Sequence, residues 1–537
     1  MIKWFKAGTP WIWLTAGAVS LSLLAVLGLL LLIGWKGLSF FWPAPVYQFD
    51  IAQQGHHSTV IGEIYQRQSV PVTQLHEAGI DTTGFKGPAV DRLVIKSGNR
   101  ELRGSDFVTV LQPHIAHQAP AAGVIVIERL KNGRFYGYPV ALMDDGKPLP
   151  LSQLPTQLAH SQTIRDDIRH LEKTDLTALN RQFERLRRQV ERHGESADTQ
   201  AERVALNAHY AVLEGKLLQL HRHLDKDALV VRDMSGEEVT IPVEMILDFW
   251  YPNEMTLWGK LGHWVHQLGN FVSEAPREAN TEGGVFPAIF GTVLMVLLMS
   301  VIVTPLGVMA AVYLHEYAGK NAFTKLIRVA VINLAGVPSI VYGVFGLGFF
   351  VYMVGAQIDN LFFADQLPSP TFGTPGILWS ALTLAILTLP VVIVSTEEGL
   401  ARIPHSIRHG SLALGATQSE TLWKIVLPMA SPAIMTGLIL AVARAAGEVA
   451  PLMLVGVVKM APSLPIDSHF PYLHLERKFM HLGYHIYDVG FQSPNVEAAR
   501  PLVYATSFLL VTVIVGLNLT AIGIRNHLRE KFRSLEQ

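Results

Sequence analysis

Six apolar stretches of about 20 residues each decide most of what this chain can become, because each is long enough to cross a ~30 Å hydrocarbon core as a helix. They are Trp11–Ile33, Phe286–Leu314, Leu326–Val354, Ile377–Val394, Pro432–Val458 and Pro501–Ile524. Inside lipid a backbone amide finds no water, so such a stretch must satisfy its hydrogen bonds within itself, as a helix does. The third stretch is glycine-rich and carries Pro338, which membrane helices tolerate when neighbours satisfy the freed backbone groups. The first run, Trp11–Trp35, exceeds the 7–15 residues of a signal-peptide core and reads as a retained anchor.

Composition agrees. Half of the 537 residues are hydrophobic, and 16% are charged, against roughly 25% in soluble domains. The formal net charge of -1 points to no nucleic acid or other polyanion as partner. Cysteine is absent, which excludes disulfides, thiolate metal sites and thiol nucleophiles and leaves the redox compartment open.

Basic residues set an expected orientation. Lys3 and Lys6 precede the first stretch; Lys320, Lys325 and Arg328 follow the second; Arg402, Arg408 and Lys424 follow the fourth; Arg525, Arg529, Lys531 and Arg533 follow the sixth. The loop after the third has Asp359 and Asp365 and no lysine or arginine. The positive-inside rule then places both termini in the cytoplasm. Arg477, Lys478 and Arg500 after the fifth stretch give a weaker, contrary signal.

The expected organisation is a tail and first membrane helix over 1–36, an extracytoplasmic insert over 37–285, a membrane domain over 286–525 with a cytoplasmic loop at 396–431, and a tail over 526–537. Within the insert, Arg92–Lys96, Phe107–Leu111, Gly123–Glu128, Leu229–Val231 and Glu238–Ile241 read as short strands. Leu176, Leu179, Phe183, Leu186 and Val190 recur at three and four, His193-Gly194-Glu195-Ser196 interrupts, and Leu213, Leu217, Leu220 and Leu224 form a second stripe. This predicts an antiparallel helical hairpin whose stripes pack on each other. Trp258, Trp264 and Phe271 suit a segment lying along the outer interface.

Arg444 and Glu448 stand in the otherwise apolar fifth stretch, four apart, and a helix would put them on one face. A charge at mid-bilayer costs roughly 2.5–3.5 kcal/mol on insertion scales, so it survives mainly facing a bundle interior or a pathway. The pair therefore reads either as a structural tie between helices or as part of a route for a polar solute. Arginine suits an oxyanion because its planar fork makes paired charge-assisted bonds. Pro338-Ser339 reads as a hydrogen-bonded kink or a second pathway element. Glu397 and Glu398 read as caps at the membrane boundary. His56, His57, His114, His117, His221 and His223 have no metal-ligand spacing and read as solvated surface; no metal site is expected. No Gly-x-x-x-x-Gly-Lys-[Ser/Thr] loop occurs, so the chain carries no phosphate-cradling signature for hydrolysing ATP.

The loop after the fourth stretch holds Gly415-Ala416-Thr417 and then Ile425-Val426-Leu427-Pro428. This resembles the coupling loop of bacterial ABC importer permeases, in which Glu-Ala-Ala, three residues, glycine, nine residues, isoleucine, one residue and Leu-Pro follow in order. Here the opening triplet is His409-Gly410-Ser411, which lacks the acidic residue. Residues 334–343, Leu-Ala-Gly-Val-Pro-Ser-Ile-Val-Tyr-Gly, and 436–448, Thr-Gly-Leu-Ile-Leu-Ala-Val-Ala-Arg-Ala-Ala-Gly-Glu, resemble the third and fifth spans of phosphate-specific permeases. Val449-Ala450-Pro451-Leu452 is similar to the PstA type more than to the PstC type. The resemblance covers about residues 286–525.

It implies a type I ABC importer permease: an all-α polytopic membrane domain of six transmembrane helices, here with a large mixed α/β extracytoplasmic insert. It implies half of a phosphate pathway, completed by a PstC-type permease, energised by a PstB-type ATPase dimer using ATP and Mg, and supplied by a PstS-type periplasmic binding protein. The chain itself would bind no cofactor. Arg444, Glu448 and Ser339 become candidates for the pathway. His409, Gly410, Ser411, Gly415, Ala416, Ile425, Leu427 and Pro428 become candidates for docking the ATPase. Another oxyanion, molybdate or sulfate, is the alternative cargo. A membrane sensor or scaffold using the insert is the alternative of another class.

Overall fold

The computed structural model describes residues 8–532 apart from 54–55, 78, 81–84, 86, 225, 320, 469 and 494–495. Lys3, Lys6, Lys320 and Arg533, used above for orientation, lie outside the described residues. The chain divides into two compact units, 42–267 and 1–41 with 268–537. Residues 268–285 therefore fold with the membrane helices, and the insert proper is shorter than the 37–285 read from hydropathy.

The insert is built on two antiparallel sheets. One has strand order β4-β3-β2-β1-β5, from β1 (Val46–Gln53), β2 (His56–Pro71), β3 (Ala89–Lys96), β4 (Phe107–Leu111) and β5 (Ile115–Pro120). The other runs β10-β9-β7-β6-β11, from β6 (Ile125–Arg129), β7 (Arg134–Asp144), β9 (Asp227–Arg232), β10 (Glu238–Pro242) and β11 (Ile246–Trp250), with the short β8 (Lys147–Leu149) paired to β7. Alternation sorts side chains into two cores: Phe49, Val60, Leu93, Ile95 and Tyr136 share one, and Ile127, Phe135, Leu142, Leu229 and Val231 share the other, so that β6 and β7 are buried on both faces.

The predicted helical hairpin forms, with a longer first arm. Leu154–His170 runs through a π-helical turn, Leu171–Leu176, into Thr177–His193. Gly194 turns the chain at φ +80°, and Ala197–Leu224 returns. Leu179, Leu186, Leu206 and Leu213 are buried along the seam, with Phe183 and Leu217 packed against them. The arm over 154–170 went unread because its buried Leu158, Ile164 and Ile168 are interleaved with polar residues.

Among the described residues six helices are long and apolar enough to span a membrane: Trp11–Ser39, Phe286–Tyr317, Ser339–Phe362, Ile377–Ala401, Gln418–Gly447 and Ala499–His527. The fourth is central and two-thirds buried. Its Ala381, Leu384, Ala385 and Val392 pack with Met295, Met299 and Val303 of the second and Ala441, Val442 and Ala445 of the fifth. Small residues permit this closeness. A Cβ on Gly307 would meet Val392 at 2.6 Å, and one on Gly437 would meet Ser395 at 2.8 Å. The Ser395 hydroxyl donates to the Ala433 carbonyl of the neighbouring helix at 2.8 Å.

Two spans differ from the hydropathy reading. The third does not run over 326–354. Ala322–Leu334 is a separate amphipathic helix, turns follow over 335–338, and the span begins at Ser339 with Pro338 as its cap. The kink expected at Pro338-Ser339 is thus a full break. The fifth does not run to Val458: its helix ends at Gly447, Glu448 is extended at φ -77°, ψ 135°, and Ala450–Val455 is a separate short helix. Proline explains the stop. A continuous helix would require the absent Pro451 N–H to bond the Gly447 carbonyl, and the ring would clash there. Pro305, Pro390 and Pro432 by contrast sit inside unbroken helices.

Candidate functional site

Two places in the membrane unit gather the residues singled out above. The first is where the third and fifth spans break. Arg444 lies in the last turn of its helix, where a cation complements the exposed carbonyl ends. Glu448 lies just past that end, so the two do not share a helical face. The chain folds the carboxylate back, and Arg444 Nε stands 3.5 Å from Glu448 Oε1. Their side chains are 33% and 20% exposed. The pair is therefore neither sealed in the bundle nor fully solvated, and its guanidinium keeps donors that Glu448 does not occupy.

The break in the third span abuts the segment after Glu448. A Cβ on Gly343 would stand 2.7 Å from Pro451 Cα, so glycine is needed for the approach. Tyr342 packs with Ala441 and Ala445 of the fifth helix and donates its hydroxyl to the Leu334 carbonyl at 2.6 Å, bridging the 335–338 break. Ser339 is half-buried at the helix start, and its hydroxyl makes no hydrogen bond among the described residues. Tyr342, rather than Ser339, satisfies the freed backbone. The signal that could have found it is its position three residues after the Ser339 helix start, which returns it toward the preceding turn.

The second place is the loop between the fourth and fifth spans. His405–Ala413 is a helix, and Gly415 reverses the chain at φ +89°. Thr417 and Glu420 form a capping box, each bonding the other's backbone N–H, and start the turn that leads through Leu422–Val426 into Leu427. Ser411 and Thr421 hydroxyls, both buried, bond at 2.8 Å and close the loop on itself. His409 and Gly410 are exposed, Ala416, Ile425, Leu427 and Pro428 are half-buried, and Leu414 and Trp423 project with 91% and 64% exposure. A Cβ on Gly415 would meet nothing within 4 Å in this chain. The glycine is required here by its left-handed backbone and not by an intramolecular close approach.

Arg408, read only as a topogenic charge, anchors this loop. Its Nη2 donates to the Leu400 carbonyl at 2.8 Å and pairs with Glu316 Oε1 at 3.0 Å, tying the ends of three elements. His315 Nδ1 lies 3.0 Å from the same Glu316 oxygen. Arg328 pairs with Glu397 at 3.1 Å, so Glu397 ties two helices rather than capping its own. Beneath them Val312, Leu400, Ile403, Leu422, Val426 and Ala430 form an apolar cluster. The arrangement is a stiff helical protrusion, with exposed apolar tips, mounted on the ends of spans two, four and five. Lys459 and Asn280 also converge on the buried Asp488, at 3.1 and 3.0 Å, which no sequence pattern signalled.

In the insert, His57, His117, His221 and His223 are exposed and His114 is half-buried. A different, half-buried cluster lies there. Asp248 lies opposite Glu128 across β11 and β6, with Gln267 Nε2 donating to Asp248 at 3.1 Å and His263 Nδ1 at 4.0 Å. Burial and the Glu128 carboxylate push the Asp248 carboxyl up to about 6, and burial with nearby Arg134 pushes His263 down to about 4.

Residues 303–534 match the family described as binding-protein-dependent transport system inner membrane component. The chain is 32% identical over 265 residues to the phosphate transport system permease protein PstA 1 of Mycobacterium tuberculosis, covering 49% of this chain and 76% of that one. It is 32% identical over 255 residues to the phosphate transport system permease protein PstA of Yersinia pestis, covering 47% and 76%. A probable ABC transporter permease, YqgH of Bacillus subtilis, is 33% identical over 194 residues, 36% of this chain and 59% of that protein.

Proposed function

Because the chain belongs to the binding-protein-dependent transport permeases, and within them to the PstA-type phosphate permeases, we propose that it forms half of the pathway of an ATP-driven phosphate importer. A second, PstC-type permease supplies the other half. A PstB-type ATPase dimer, with ATP and Mg, grips the protrusion at 405–428. A PstS-type binding protein delivers the anion on the opposite side, where the insert also lies, and both termini are cytoplasmic.

The observation that carries this reading is the partly exposed Arg444–Glu448 pair at a helix break in an otherwise apolar span. A bare arginine would hold phosphate tightly. One that exchanges between a carboxylate and the anion binds it and lets it go. Arg444 would take the oxyanion through paired N–H donors while Glu448 is displaced, and Glu448 would reclaim the guanidinium as the anion leaves. The extended backbone at Glu448 permits that exchange without unwinding a helix. ATP-driven closure at the protrusion would act through the Arg408–Glu316 tie on spans two and four and through the Ser411–Thr421 closure on span five.

The test is reconstitution. Vesicles containing the chain with its co-purified subunits should take up phosphate only with ATP and binding protein. Uptake of molybdate or sulfate in preference to phosphate would overturn the cargo, and absence of any ATP-dependent uptake would overturn the function. Protease added outside intact spheroplasts should cut the insert and spare the C-terminal tail; the reverse would overturn the orientation.

A further inference from the structure

A cavity of about 580 Å³ opens between the ends of spans four and six and the start of span five, beside the protrusion. Arg402 and Arg525 line it, together with an apolar wall that includes Ile403, Ile407, Met429 and Ala433. At the same end of the bundle Arg328 and Arg408 each have a glutamate partner. Arg402 and Arg525 have no ion pair or side-chain hydrogen bond among the described residues. Arg402 is exposed and Arg525 half-buried, so the cavity carries two positive charges at its water-facing side, and an anion there would relieve their repulsion. The greasy wall adds a second requirement, since water alone satisfies it poorly.

We propose that this cavity is a phosphate-group site. Arg402 and Arg525 hold the anionic oxygens, each able to present two parallel N–H donors. The apolar wall between the helix ends receives hydrocarbon, which makes the phosphodiester of an anionic phospholipid the natural form. Basic pockets between membrane helices are recognised settings for such headgroups. Free inorganic phosphate carries the same oxygens and is the other source. Only that second source rests on the transport reading; the lipid does not. In either form the anion would join the end of span six to the span four–five loop, beside the protrusion.

The full chain, purified with the subunits that accompany it from discs containing phosphatidylglycerol, is washed and its bound lipid counted by native mass spectrometry. Equilibrium dialysis with radiolabelled inorganic phosphate runs in parallel. Three variants are compared: Arg402→Gln with Arg525→Gln, the double lysine replacement, and Ile407→Trp, which fills the wall and leaves both charges. Phosphatidylglycerol retained by the native chain, lost about tenfold or more in the double glutamine variant and also lost in Ile407→Trp, supports the site with lipid as its source. Phosphate binding lost in the glutamine variant and kept in Ile407→Trp supports it with the free anion as its source. If the glutamine variant fails to assemble, the lysine variant and Ile407→Trp still decide: with lipid as the source, lysine must retain at least part of the lipid and tryptophan must remove it; with the free anion as the source, both variants must retain at least part of the phosphate binding. Retention of neither probe by the native chain, or retention unaltered by every variant, overturns the proposal.

Discussion

One half-buried acidic site in the membrane unit and one in the insert are neutralised by opposite means. In the membrane unit Arg444 and Glu448 sit at a helix end, and Arg408 and Glu316 tie the ends of spans two and four, each acid facing a base. In the insert, Asp248 and Glu128 are two acids set opposite each other on neighbouring strands, under a helix that presents His263 and Gln267. Lipid offers no way to hydrate a stray charge, so Glu448 and Glu316 each keep an arginine beside them. The insert also pairs acids with bases, as Arg129 with Glu101 and Arg134 with Glu63, but at Asp248 a proton can come and go and does the neutralising instead.

The largest effect should break the membrane side of this contrast. Arg444→Gln should lower phosphate uptake at least about tenfold while the complex still assembles, because under the proposed exchange the anion would lose its charged donor. The charge-swapped Arg444→Glu with Glu448→Arg should assemble and still fail to transport. Full uptake in the swapped protein would reduce the pair to a structural tie.

The insert should respond to pH instead. Asp248 holds its proton up to about 6 when folded and to 3.8 when unfolded. Its contribution is complete below the unfolded value and is lost as pH rises through 6. His263 runs the other way, from 6.5 unfolded to about 4 folded. Its contribution is complete above 6.5 and is lost as pH falls toward 4. The two slopes oppose each other between pH 4 and 6, so the native insert should be nearly insensitive there. Asp248→Asn removes one slope, and stability should then rise with pH by about 2 kcal/mol from pH 4 to 6.5. Urea unfolding of residues 42–267, expressed alone, at several pH values measures this. A non-cooperative transition would show that the unit needs the rest of the chain to fold.

Arg408→Ala leaves Glu316 with His315 and frees the Leu400 carbonyl, so the protrusion should loosen at a cost of about 2 kcal/mol. Phosphate-stimulated ATP hydrolysis should fall while ATPase binding persists. Unchanged coupling would mean that the apolar cluster beneath the loop holds it without the ion pair. The smallest effect belongs to Gly415→Ala, where a side chain at positive φ costs about 1 kcal/mol. Gly415→Arg should match it in local stability, since this chain leaves the space empty. Under the proposed docking, any further loss of coupling in the arginine variant would report a partner surface packed against this position.

Hydropathy and spacing determined much of this protein. Twenty apolar residues in lipid can only be a helix, which is why six spans were legible without any contact being known. Strands at 92–96 and 107–111 and the hairpin seam at Leu179, Leu186 and Leu213 were legible because burial imposes periods of two and of about three and a half. Tertiary structure alone decided where hydropathy is blind. Apolar residues read alike in a helix and in a break, and a proline alone does not tell which of the two follows. Pro305 and Pro390 did not interrupt their helices, and Pro451 closed one. The tie from Arg408 to Glu316 spans 92 positions of sequence, and the Asp248–Glu128 opposition depends on strand register. Neither leaves a local pattern, because a charge chooses its partner by distance in space and not by distance along the chain.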